Sequence, residues 1–257
     1  MIIDPNVKRV QSLDDRRNLI FPGDFDETIL YSANHFIELC KKSISEKKYF
    51  SVALSGGSTP KAIFQLLCSN KFKDKIEWDK ILFFWGDERS EPPNSSESNY
   101  KMAMDSGIKN MPIKSENVFR MKAENDIKQS AEEYEELISK KLGPKLFDLV
   151  MLGVGDDGHT ASLFPATEAL KEIKRLVVAN HVPQKKTWRM TLTFTAINQS
   201  KNIVLYVLGD KKKEILKKVL FPEPGSKSYP CQMIGSSQNK ALWIIDKDAS
   251  KNLKKLT

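Results

Sequence analysis

The chain has 257 residues, 40% apolar and 29% charged, with a formal net charge of +8. Such a composition excludes wholesale disorder and suits one sizeable core, and α/β folds of this length are commonly one domain. No run approaches the roughly 18 apolar residues of a membrane span, and Asp4 and Lys8 interrupt the opening where a signal peptide would be apolar, so a cytoplasmic protein is expected.

Cys40, Cys68 and Cys231 are far apart and form no CxxC pair. That suits a reducing compartment and argues against a zinc site or a disulfide framework. The lysines are scattered, and the densest run, GDKKKEILKK (209–218), mixes in apolar residues at helical spacing. It reads as a solvated helix face rather than a nucleic-acid surface, and the basic field would attract a small anionic substrate.

In chain order, residues 1–25 lack strong periodicity and read as an N-terminal extension, or as a first strand and loop, ahead of an α/β domain over 26–257. From Glu27 to about Ser45, Ile29, Ala33, Phe36, Ile37, Cys40 and Ile44 fall at three-to-four spacing and predict a helix with one buried face. His35 lies beside that stripe and reads as a boundary histidine without chemistry. YFSVALSGG (49–57) reads as a buried strand ending in glycines, and STPKAIFQLLC (58–68) as the helix after it. KILFFWGDER (80–89) is a second apolar run, and SESNYKMAMD (96–105) looks helical. DIKQSAEEYEELISKKLG (126–143) is a helix that stops at Gly143. KLFDLVMLGVG (145–155) and NIVLYVLG (202–209) are buried strands, DKKKEILKKVL (210–220) is a helix, and ALWIID (241–246) is a last strand. Uniformly apolar strands alternating with helices predict an α/β fold, a Rossmann-like, mostly parallel sheet with helices on both faces. Ligands of such sheets sit at the carboxyl ends of the strands.

Three strand ends carry the informative residues. In LSGGSTP, Ser55, Gly56 and Gly57 precede Ser58 and Thr59, which are good N-cap residues, and Pro60, which suits a first helical position. Glycines that admit close approach and a helix N-terminus together make a phosphate cradle, though a plain tight turn needs similar residues. In the second, Asp87, Glu88 and Arg89 come directly after an apolar strand. They are either a surface triplet or part of a site, and the long polar loop after them favours the site. In the third, GVGDDGHTASLFP (153–165), Asp157 lies two residues before His159, so its carboxylate is placed to hold the imidazole in one tautomer. His159 is then a base acting on water or on a substrate proton, or else only a capping histidine. No HExxH, paired cysteines or GxSxG elbow is present, and no metal is expected.

LSGGSTP, WGDER…SNY and GVGDDGHTASLFP occur in the order and spacing of the 6-phosphogluconolactonases, of the glucosamine-6-phosphate isomerase/deaminase superfamily. TWRMTLTFTAIN (187–198) and YPCQMIG…ALWIID also resemble that family, and the likeness covers roughly residues 27–250. The resemblance implies hydrolysis of 6-phospho-D-glucono-1,5-lactone to 6-phosphogluconate, in the oxidative pentose phosphate pathway, without cofactor or metal. It implies His159 as general base, Asp157 as its companion and Arg89 as the arginine that reaches the substrate. Ser55, Gly56, Gly57, Ser58, Asp87, Arg189 and Lys212 would then bind the phosphosugar. Two departures stand out: lysine replaces alanine in the Gly-x-x-Lys-Ala pattern at Lys213, leaving Lys211 and Lys213 as neighbours able to substitute, and Ser90-Glu91 replace a small apolar pair.

Two rival readings share the fold. A glucosamine-6-phosphate deaminase would carry a Glu five residues after the histidine, where this chain has Phe164, and a DEY triplet rather than DER. A non-catalytic sugar-phosphate sensor would normally carry a DNA-binding segment, for which residues 1–25 are too few. A small phosphosugar lactone is the expected partner, with no membrane or nucleic-acid partner. The expected state is a monomer or a weak dimer.

Overall fold

The computed structural model describes residues 10–226 and 228–253. The first nine residues of the stretch read as an extension or first strand lie outside them. The first half of the chain forms β1 (Gln11–Ser12), β2 (Arg17–Ile20), α1 (Phe25–Lys47), β3 (Phe50–Leu54), α2 (Ser58–Leu67), β4 (Ile81–Trp85), β5 (Asp87–Arg89) and α3 (Asn99–Asp105). The chain continues through α4 (Ile127–Leu142), β6 (Leu149–Gly153), β7 (Val177–Val182), β8 (Thr187–Leu192), α5 (Phe194–Asn198), β9 (Ile203–Val207), α6 (Lys213–Leu220) and β10 (Ala241–Ile245).

Seven strands form the central sheet in the order β1-β2-β10-β9-β6-β3-β4. Every pairing in it is parallel except β1 with β2. β3 and β9 are buried at every position, as a parallel strand covered on both faces must be. Helices flank this sheet, and α4 also packs on β7 and β8. The Tyr134 hydroxyl of α4 accepts from Trp85 N at 2.9 Å and donates to the Phe119 carbonyl at 3.0 Å.

A second, smaller sheet, β5-β8-β7, is antiparallel. The Asp87–Arg89 triplet, read from sequence only as following an apolar strand, is itself a short strand, and the TWRMTL segment, for which the sequence suggested no element, is its partner. These strands are short and only partly buried, with β8 running from half-exposed to buried, so they lack the uniformly apolar run that marks the central strands.

Strand order places the site. From β3 the chain moves outward to β4, then returns to the other side of β3 with β6. The crevice between β3 and β6 is therefore a topological switch point, where the loops leaving the two strands diverge. Val52 pairs with Leu149 and Ala53 with Val150, so the 55–57 and 154–159 loops emerge side by side.

Local chemistry sets the helix ends. Asp24 and Glu27 form a reciprocal capping box on α1, with hydrogen bonds of 3.0 and 2.9 Å. The start of α2 differs from expectation. Its N-cap is Gly57, with no side-chain cap, and Ser58 is the first helical residue. Gly57 sits at φ +99°, a conformation costly for residues with a Cβ.

Candidate active site

At the carboxyl ends of β3 and β6 lies a cleft of about 500 Å³. Ser55, Gly56, Gly57, Asp87, Arg89, His159, Arg189 and Lys212 all line it. Asp157 stands behind His159 rather than in the wall, and Ser58 is not among the lining residues. Sequence reasoning did not single out Lys185, Glu97, Asn99 and Asp156, which also line the cleft.

His159 is built by its own loop. Its Nδ1 lies 2.5 Å from Asp157 Oδ1, and its backbone N–H donates to the same oxygen at 3.1 Å. An ionised carboxylate only accepts, so it places the proton on Nδ1 and leaves Nε2 with its lone pair. Burial opposes the Asp157 charge, but the hydrogen bonds from His159 outweigh it and hold the carboxyl below its usual range. Gly155 lets the imidazole lie against the backbone: a Cβ there would fall 2.0 Å from Nδ1. Gly158, at φ +76°, turns the loop under Tyr229. The ring face is covered by Phe164, with centroids 4.0 Å apart.

The loop is moored to the small sheet through Ser162. Its hydroxyl donates to Asp87 Oδ2 at 2.7 Å, its N–H to Thr191 Oγ1 at 3.1 Å, and its carbonyl accepts from Asn180 Nδ2 at 2.9 Å. β5, β8 and β7 thus each supply one partner. The Asn99 amide donates to the Asp87 carbonyl at 2.9 Å, and its Oδ1 leaves no room for a Cβ on Gly56. Asp87 is therefore a buried strut whose oxygens meet Ser162 and Asn99.

Glu88 points the other way from Asp87, as strand alternation requires. Its buried carboxylate accepts from the N–H groups of Arg89, Asn99 and Tyr100 and from the Ser98 hydroxyl, at 2.8–3.0 Å. It closes the N-terminus of α3 and fixes the end of the 90–98 loop. Burial pushes its carboxyl above the usual range despite those donors.

Arg89 and Arg189 are register partners across β5 and β8. Among the described residues, both have a buried Nε with no hydrogen-bond partner. Arg89 Nη1 also donates to the Glu97 carbonyl. Burial, and then the neighbouring Arg89 charge, pulls Arg189 below the usual guanidinium range. Two like charges side by side are costly unless an anion joins them.

The lysine cluster is resolved by position. Lys212 lines the cleft and meets Asp156 at 2.6 Å, whereas Lys213 is turned back to Asp210 at 2.8 Å. Of the other histidines, His181 is exposed on β7 beside Trp188, and His35 is largely buried against Tyr31. Among the described residues, no three His, Cys, Asp or Glu side chains group to hold a metal ion, and no helix is long and apolar enough to cross a membrane.

The family model for glucosamine-6-phosphate isomerases/6-phosphogluconolactonase matches residues 23–243. The chain belongs to this family. A 6-phosphogluconolactonase of Chlamydia pneumoniae is 44% identical over 93% of this chain and 91% of its own length. That of Chlamydia trachomatis is 39% identical over 93% and 91%. Among solved structures, the 6-phosphogluconolactonase from Trypanosoma cruzi superposes with a TM-score of 0.81 at 29% identity, covering 96% of this chain and 99% of that one. Like these family members, the chain is an α/β protein with a mostly parallel sheet.

Proposed function

We propose that this chain hydrolyses 6-phospho-D-glucono-1,5-lactone to 6-phosphogluconate, the lactonase step of the oxidative pentose phosphate pathway. The observation that carries the reading is the His159–Asp157 pair sharing one cleft with two neighbouring arginines whose buried Nε atoms lack hydrogen-bond partners among the described residues, in a chain so similar to proteins named 6-phosphogluconolactonase.

His159 Nε2 takes a proton from water as the water oxygen bonds to the lactone carbonyl carbon. The tetrahedral intermediate then expels its ring oxygen, and the bond between that oxygen and the carbonyl carbon breaks. The imidazolium returns its proton to the departing oxygen, leaving a carboxylic acid that ionises. Such acid–base assistance is worth about 10²–10⁴-fold. Asp157 fixes the tautomer and stabilises the imidazolium. Arg89 is assigned to the developing oxyanion, where one donor is worth on the order of 10²–10³-fold. Arg189, Lys212 and the Ser55–Ser58 backbone are assigned to the phosphate, which anchors the substrate far from the reacting carbonyl.

Phe164 weighs against deaminase chemistry at this site. It occupies the face of the imidazole and cannot accept a proton. The reading also includes a cytoplasmic setting and a monomeric or weakly dimeric state, which sedimentation would measure.

The test is turnover of freshly generated lactone, with spontaneous hydrolysis subtracted, for the protein and for His159→Ala. Turnover well above background that collapses in the variant is the expected result. Absence of turnover in the unaltered protein would overturn the activity. Undiminished turnover in His159→Ala would overturn the base.

A further inference from the structure

Asp157 fixes one atom of the His159 ring, and Gly155 limits one edge of it. A hydrogen bond at a single ring atom leaves the plane free to tilt about that bond. The Asp157 side chain that makes this bond is itself 43% exposed. Something else must set the plane.

Phe164 lies against the imidazole with ring centroids 4.0 Å apart and planes 19° apart. That is face-to-face stacking, closer to parallel than the edge-on contacts Phe84 makes in the core. Phe164 is itself held firmly, with 4% of its surface exposed. Its carbonyl accepts from Thr167 Oγ1 at 2.8 Å, and Leu163 N donates to the Thr160 carbonyl at 2.9 Å. On either side, Ala161 and Ala166 adopt φ of +47° and +59°. Left-handed alanines persist only where the surroundings over-determine the backbone. Ser162, tied to all three strands of the small sheet, lies in the same turn.

We propose that Phe164 is a positioning residue for the base: its ring sets the plane of the His159 imidazole, so that Nδ1 stays on Asp157 while Nε2 stays presented to the cleft. The proposal rests on the reading of His159 as general base. It differs from simple packing in what it predicts. A packing residue loses stability when replaced by an aliphatic chain of similar volume, but it does not lose kcat selectively.

Phe164→Leu and Phe164→Met keep most of the volume without the flat face. Each should lower kcat by about 10–100-fold, on the scale of an ångström-sized misplacement of a reacting group, while KM changes less than about threefold. Phe164→Tyr keeps the ring and should recover kcat to within about threefold of the unaltered protein. A second readout needs no turnover. In NMR of the whole protein, the His159 Hε1 resonance should be displaced by the aromatic ring current in the parent and in Phe164→Tyr, and should relax in Phe164→Leu. If the leucine variant does not fold, the methionine variant serves for both measurements.

Unchanged kcat in a folded leucine or methionine variant, with His159→Ala inactive, overturns the positioning role and leaves the lactonase reading intact. Equal kcat losses in the leucine, methionine and tyrosine variants, with an unmoved Hε1 resonance, also overturn it and make Phe164 a packing residue. Full turnover in His159→Ala sinks this role and the base together.

Discussion

Gly155→Ala tests the proposed base without touching its chemistry. The backbone at Gly155 lies outside the left-handed region, so alanine meets no conformational barrier there. The added Cβ would instead sit 2.0 Å from His159 Nδ1 and 2.1 Å from Cε1, where ordinary contact begins at 3.4 Å. The imidazole must retreat by about 1.4 Å. Phe164 backs one face of the ring, and Asp157 holds the edge that Gly155 crowds, so retreat breaks the carboxylate contact. Misplacement by about 1 Å costs on the order of 10²-fold, and loss of a general base about 10²–10⁴-fold. A fall in kcat of about 10²–10³-fold is therefore expected, or roughly 3–4 kcal/mol in the barrier. The crowding should cost only about 1–3 kcal/mol of stability. Lactone turnover above the spontaneous rate, measured beside urea denaturation, separates the two effects. A folded variant turning over within threefold of the parent would refute the placement of His159 as the base.

Two further outcomes concern the frame. Glu88→Ala strips the partner from three backbone N–H groups and the Ser98 hydroxyl; a loss of about 3 kcal/mol or more is expected, and a urea midpoint shift worth less than 1 kcal/mol would contradict it. His35, on α1 and largely buried beside Tyr31, has its protonation pushed down by burial to about 4. The unfolded chain then binds the extra proton between pH 6.5 and about 4, so stability falls as pH drops through that window, by up to about 3 kcal/mol. His35→Leu should remove that slope, and a stability difference between parent and variant that does not vary from pH 7.5 to 4 would count against it.

Much of the architecture was legible because its signals are local. β3 and β9 announce themselves as continuous apolar runs, α1 through its three-to-four stripe and α4 through its Gly143 stop. The small sheet was not legible. β5 has three residues, and β7 and β8 mix polar with apolar side chains because they form a partly solvated wall beside the cleft. The cap of α2 was misplaced because Ser58 and Gly57 both suit a helix start, and the backbone path through Gly57 decides between them.

At the site, residue types and spacing within one loop pointed to the pairing of Asp157 with His159, two residues apart in a glycine-rich turn, and the 2.5 Å contact realises it. The sequence could not show that Arg89 and Arg189, a hundred residues apart, are register partners, nor that Lys212 rather than Lys213 faces the cleft. It gave no sign that Asp87 and Glu88 brace the loops. Those facts depend on how two sheets and the 154–164 loop meet through Ser162. By itself the sequence determined each strand end and what it offers, because hydrophobic period, capping and turn preference act over a few residues. Only the tertiary structure decided which ends share a cleft and which charges face one another, because long-range hydrogen bonds and strand register act between segments that no local pattern connects.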